Sequence, residues 1–123
     1  MNKIWLALLV SLTCIFASVQ AHAMGEEEKI AQLIESVKSV PEGTQFIRNG
    51  SAYPAADAAA HLRMKYSKVQ SKVKTAEDFI KYVASKSSVS GQAYVIRYPD
   101  GTTVTAEVFF TEKLRRMQNA KQE

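Results

Sequence analysis

Hydrophobic positions first repeat with a helical period over residues 30–37, where Ile30, Leu33, Ile34 and Val37 share a face. Glu26, Glu27 and Glu28 precede them, in the first turn, where the helix macrodipole favours acids. Pro41 and Gly43 end this helix. Phe46, Ile47 and Arg48 then read as a short strand, and Asn49-Gly50 supplies two residues that tolerate the positive φ of a tight hairpin turn, with the chain returning through residues 51–53. Pro54 suits a helix start. Beyond it Ala55, Ala58, Ala59, Leu62, Tyr66, Val69 and Val73 fall on one helical face, with Asp57, His61, Lys68 and Lys72 on the other side and Lys65 at the border.

Thr75 with Asp78 three residues on resembles a capping box, so the next helix starts at Ala76 and buries Phe79, Ile80 and Val83. Residues 85–91 hold Ser85, Ser87, Ser88, Ser90 and Gly91, which is loop chemistry. Residues 93–98 alternate as a strand, Pro99-Asp100-Gly101 forms a turn, and residues 102–105 return as the partner strand. A last helix uses Phe110, Leu114 and Met117, followed by a frayed polar tail over residues 118–123. The order helix, hairpin, helix, helix, hairpin, helix predicts an α+β fold: one small domain over residues 24–117, with a small antiparallel sheet covered on one face.

The start of the chain has a different character. A positive Lys3, an apolar run over residues 4–19 and the small-x-small triplet Ala21-His22-Ala23 read as a signal peptide over residues 1–23, cleaved after Ala23. An uncleaved membrane anchor is the competing reading, but the run falls short of the roughly 20 apolar residues that span a bilayer. Cys14 raises a lipoprotein reading, which the preceding Ser11-Leu12-Thr13 fits poorly. Export with cleavage at this point leaves no cysteine and therefore no disulfide. The remaining residues must hold together by burial alone, at a size where folding removes roughly 60–70% of the chain's surface from water.

The 16 basic and 12 acidic residues give a net charge of +4, unevenly spread. Residues 24–47 carry two lysines against five glutamates, whereas residues 63–86 carry seven basic groups against Glu77 and Asp78. The basic tract more often makes a solvated face than a polyanion track. Export and the lack of a stacking platform argue against nucleic acid, although Tyr66 and Tyr82 lie in the tract. Anionic groups of a cell envelope are the partners such a face would meet, with binding weakened by salt.

Phe46-Ile47-Arg48-Asn49-Gly50, His61-Leu62-Arg63-Met64-Lys65, residues 75–80, and then Ser85, Ser87, Ser88, Gly91 and Tyr94 together resemble the YfeK-like family of small exported bacterial proteins. The resemblance covers about half of the chain after residue 23 and leaves the segment beyond Gly101 outside it. It implies a periplasmic protein and names no activity or substrate.

Candidate chemistry centres on His61. Asp57, His61 and Lys65 are spaced four apart on one helical flank, so an aspartate could orient the imidazole and a lysine lower its proton affinity, as a general base requires. The bland alternative is a helix N-terminal acid with a salt-bridged neighbour. One histidine after cleavage and no cysteine are too few ligands for zinc, and no cofactor motif occurs. Ser71 and Lys74 match Ser-x-x-Lys by count, but at a helix end and without companion motifs, and there is no Gly-x-Ser-x-Gly. Serines after a helix are more often turn-formers than ligands.

The reading these residues support is a periplasmic binding or interaction module, its site formed by Arg48, Asn49, Tyr53, His61, Lys65, Ser87 and Ser88, recognising an anionic or hydroxyl-rich envelope ligand. A small hydrolase or transferase with His61 as base would need a concave pocket, Asp57 on the ring and a serine hydroxyl in reach. A structural adaptor for an envelope protein would instead show an exposed apolar patch on the Ala/Leu face or the last helix. Oligomeric state is not encoded in any pattern here.

Overall fold

The computed structural model describes residues 24–120. The signal peptide and cleavage readings, Cys14 and the last three residues of the tail lie outside the described residues. The observed order is α1 (Glu26–Ser36), β1 (Gln45–Arg48), β2 (Ser51–Tyr53), α2 (Ala55–Val69), α3 (Ala76–Phe79), β3 (Val95–Arg97), β4 (Thr103–Thr105) and α4 (Ala106–Ala120). This is the α+β arrangement the periodicity predicts. Single 3₁₀ turns close α1 and α2, and α3 continues into a π-helical segment at Ile80–Ala84.

The sheet runs β2-β1-β3-β4 with every neighbouring pair antiparallel. Its register pairs Phe46 with both Tyr53 and Ile96, and Ile96 with Val104, so these four share one face. That face meets the helices: Ile96 is fully buried, and Phe46 and Val104 pack against the core. Ile47, Ala52, Val95 and Thr105 occupy the opposite face. The turn between β1 and β2 places Asn49 at φ 50° and Gly50 at φ 81°, the left-handed region that this pair tolerates.

Each helix turns apolar residues of its predicted stripe into the core, and α4 adds Phe109 to Phe110 and Leu114 while Met117 is only partly buried. Ile30, Leu33 and Ile34 of α1, Ala59 and Leu62 of α2, Phe79 of α3 and Phe109, Phe110 and Leu114 of α4 meet in one core. The aromatic rings form an edge-to-face chain, Tyr66 to Phe79 to Phe110 to Phe109, with centroids 5.7, 6.3 and 5.1 Å apart. Such pairs add about 0.5–1.5 kcal/mol each beyond the area they bury.

The capping box opens α3 as the sequence indicates. Thr75 Oγ1 accepts from the Asp78 amide at 3.0 Å, and Asp78 Oδ2 accepts from the Thr75 amide at 3.2 Å. A partner that local sequence does not signal joins them: Glu26 of α1 reaches across to accept from the Ala76 amide at 2.8 Å. Two differences from expectation are that Pro54 caps α2 rather than entering its first turn, and that α4 continues to Ala120, past the expected start of the tail. Among the described residues no helix is long and apolar enough to cross a membrane.

Candidate functional site

Strand alternation aims Arg48 the same way as Phe46, toward the helices, and Tyr94 the same way as Ile96. His61 precedes the buried Leu62 on α2, which turns its ring to the edge of the core rather than to solvent. The two elements meet there: Arg48 Nη1 lies 2.6 Å from Nδ1 and 2.8 Å from Nε2 of His61. A neutral imidazole has one nitrogen that accepts. The tautomer decides which of the two accepts from Arg48, and Nε2 also faces the Tyr94 hydroxyl at 3.4 Å.

The electrostatics fit that neutral state. Burial lowers the His61 pKa below its ordinary value, and the charges of Arg48, Lys65 and Lys68 lower it further. Protonation would set two cations in contact with no acceptor between them. Burial raises the Tyr94 phenol, partly offset by Arg48, so it too is neutral at physiological pH. The Arg48 guanidinium also lies over the Tyr53 ring, 4.7 Å from its centroid, and its presence holds the Tyr53 phenol below the usual tyrosine value.

Lys65 has a different task. Its ammonium donates to the Val83 carbonyl at 2.9 Å, the Lys86 carbonyl at 2.6 Å and the Tyr94 hydroxyl at 3.2 Å, which accounts for all three N–H groups. It therefore fastens α2 to the end of the π-helical segment. Ser85 closes the same end by donating to the Ile80 carbonyl. With Lys65 donating to its oxygen, the Tyr94 O–H is left to point elsewhere.

Behind Arg48 and His61 lies a cavity of about 360 Å³. Its apolar lining includes Phe46, Leu62, Ile96, Phe110, Ala58, Ala84 and Ala106. Arg48, Tyr53, Asp57, His61 and Tyr94 form its polar part. Among the described residues no carboxylate lies within ion-pair distance of Arg48. Asp57 borders the cavity but makes no hydrogen bond to His61: the four-residue spacing puts both on one flank, yet the ring turns to β1 instead.

The serine loop meets the hairpin turn beside this cluster. Asn49 Nδ2 donates to Ser87 Oγ at 3.2 Å, and Ser90 Oγ donates to Asn49 Oδ1. Ser87 is buried, and its Oγ also accepts the Val89 and Ser90 amides, both at 3.3 Å, so it organises the loop. Ser88 is exposed and joins none of these bonds. Of the sequence-predicted site, then, Arg48, Tyr53 and His61 border one concavity, Lys65 buttresses it through Tyr94, Asn49 and Ser87 tie the neighbouring loops together, and Ser88 stands apart. Among the described residues no serine hydroxyl bonds to the imidazole. Tyr94 entered the sequence reading only through the family resemblance; its place two residues before Ile96 in an alternating strand was the available signal.

Among the described residues no group of three or more His, Cys, Asp or Glu side chains is placed to hold a metal ion. Fold and site define a small α+β domain with a cavity of mixed polar and apolar lining that includes Arg48. Residues 24–118 match the family described as "Family of unknown function (DUF5329)", and the chain belongs to that family. It is 39% identical over 88 residues to "Uncharacterized protein YfeK" of Salmonella typhimurium, covering 72% of this chain and 69% of that protein. No solved structure matches.

Proposed function

We propose that this protein is a periplasmic binding module that captures a small ligand bearing an anionic group, held by Arg48 and oriented by His61 and Tyr94. One observation carries the reading: a guanidinium without a carboxylate partner among the described residues lines a cavity of about 360 Å³. Buried and half-buried arginines ordinarily pair with acids, because an unpaired charge near an apolar interior is costly. A ligand anion would supply the missing partner, and charge-assisted bonds from a planar guanidinium are the stronger kind. Tyr94, whose oxygen already accepts from Lys65, has its O–H available to the same ligand.

Binding is favoured over catalysis because His61 is engaged by Arg48 and lacks a carboxylate to carry a proton away. The periplasmic assignment rests on the export signature of residues 1–23. The test is thermal-shift and calorimetric screening of anionic envelope fragments against the wild-type protein and Arg48→Gln. A ligand should stabilise the wild type and bind the variant at least about tenfold more weakly, as loss of a hydrogen bond to a charged group implies. Equal stabilisation of both proteins by every ligand that binds would end this reading.

A further inference from the structure

Resting on the binding reading above, we infer that the ligand class is a small monocarboxylate with an apolar body, the carboxylate at Arg48 and the body inside the chamber. Three features of the site narrow the chemistry. The first is charge: among the described residues Arg48 is the one cation lining the cavity, since the Lys65 ammonium is fully engaged by two carbonyls and a hydroxyl, and Asp57, the acid in the same lining, does not pair with Arg48. A single guanidinium matches a single carboxylate in geometry and charge, and offers a polyanion only one contact.

The second is the wall. Part-exposed Phe46 and Ala58 present carbon to the cavity, with the buried Leu62, Ile96 and Phe110 also in its lining. A sugar ring or other hydroxyl-rich body placed there would lose its water without gaining partners. An acyl chain or an aryl group gains by leaving water.

The third is size. A volume of about 360 Å³ is at the lower end of ligand pockets. At roughly 30 Å³ for each water-sized group it holds on the order of a dozen non-hydrogen atoms. Octanoate and 3-phenylpropionate are of that length, whereas a membrane phospholipid is far larger. Of the alanines in the lining Ala58 is part-exposed, so a larger side chain there would narrow the space.

The experiment is isothermal titration of the protein with acetate, butyrate, hexanoate, octanoate and 3-phenylpropionate, with octanamide as the uncharged counterpart of octanoate, repeated on Arg48→Gln and Ala58→Leu. The expected result is an affinity that rises about three- to fourfold for each methylene from butyrate to octanoate, as burial of a methylene implies. Octanamide should bind at least about tenfold more weakly than octanoate. Arg48→Gln should abolish that preference for the charged form. Ala58→Leu, checked for folding by its circular dichroism and melting temperature, should weaken octanoate while sparing butyrate. Acetate and octanoate binding equally well, both dependent on Arg48, would overturn this inference and leave the anion-binding reading in place. Octanoate and octanamide binding equally to wild type and to Arg48→Gln would overturn both.

Discussion

Lys65 and Tyr94 are joined by a hydrogen bond of 3.2 Å from ammonium to phenol, while the other two N–H groups of Lys65 cap the carbonyls of Val83 and Lys86. A cation near the Arg48-lined cavity thus holds structure rather than ligand. Replacing it by methionine keeps much of the stem's packing but leaves two carbonyls without their donor. Lys65→Met should therefore cost about 1–3 kcal/mol, read as a lower urea midpoint at unchanged slope. Lys65→Arg should rescue little, because a planar fork cannot serve three acceptors arranged around a point. An unchanged midpoint in Lys65→Met would show that these bonds contribute nothing in solution.

The imidazole of His61 makes stability depend on pH in a definite direction. Its folded pKa lies below the ordinary 6.5, chiefly through burial and then through Arg48, Lys65 and Lys68. The unfolded chain consequently takes up this proton at a higher pH than the folded protein does. Stability from the neutral ring is fully present above the unfolded value and is lost as pH falls through the folded one. Melting temperatures measured from about pH 7.5 down to about pH 5 should decline more steeply for the wild type than for His61→Asn. Parallel curves would remove His61 as the source.

Adjacent serines in the loop should behave differently. Ser87 Oγ is buried and accepts from two amides and from Asn49, so Ser87→Ala should cost about 1–2 kcal/mol by leaving these donors unsatisfied. Ser88→Ala, at an exposed position, should stay within about 0.5 kcal/mol of the parent. Thermal melts of the two variants side by side decide it.

The start of α3 offers a fourth check. Thr75→Ala removes the acceptor for the Asp78 amide and should cost about 1 kcal/mol. Glu26→Ala removes the acceptor for the Ala76 amide and should speed amide exchange there, although residue 26 is fifty positions away in sequence. Exchange at Ala76 that matches the wild type would mean the long-range cap is not formed.

What the sequence made legible was local. The Thr75-Asp78 box, the Asn49-Gly50 turn and the stripe through Ala59 and Leu62 each depend on residues within a turn or two, and each is found in place. The π-helical segment at Ile80–Ala84 was not legible, because it depends on Ser85 and on a lysine from another helix. Nor was the Arg48–His61 contact, which needs β1 and α2 brought together by the collapse of distant stripes. Helical spacing pointed His61 at Asp57, and tertiary packing turned it to Arg48. The cavity draws its lining from β1, β3, α2, the π-helical segment and α4, and no single-element pattern announces that.

The sheet's margins bear on how copies of this chain behave when crowded together. Its outermost strands, Ser51–Tyr53 and Thr103–Thr105, are three residues long, and β4 runs straight into α4. So brief a rim gives an incoming strand almost nothing to template on. Growth of the sheet from molecule to molecule is thereby discouraged by brevity alone, without the prolines or inward charges that longer borders need.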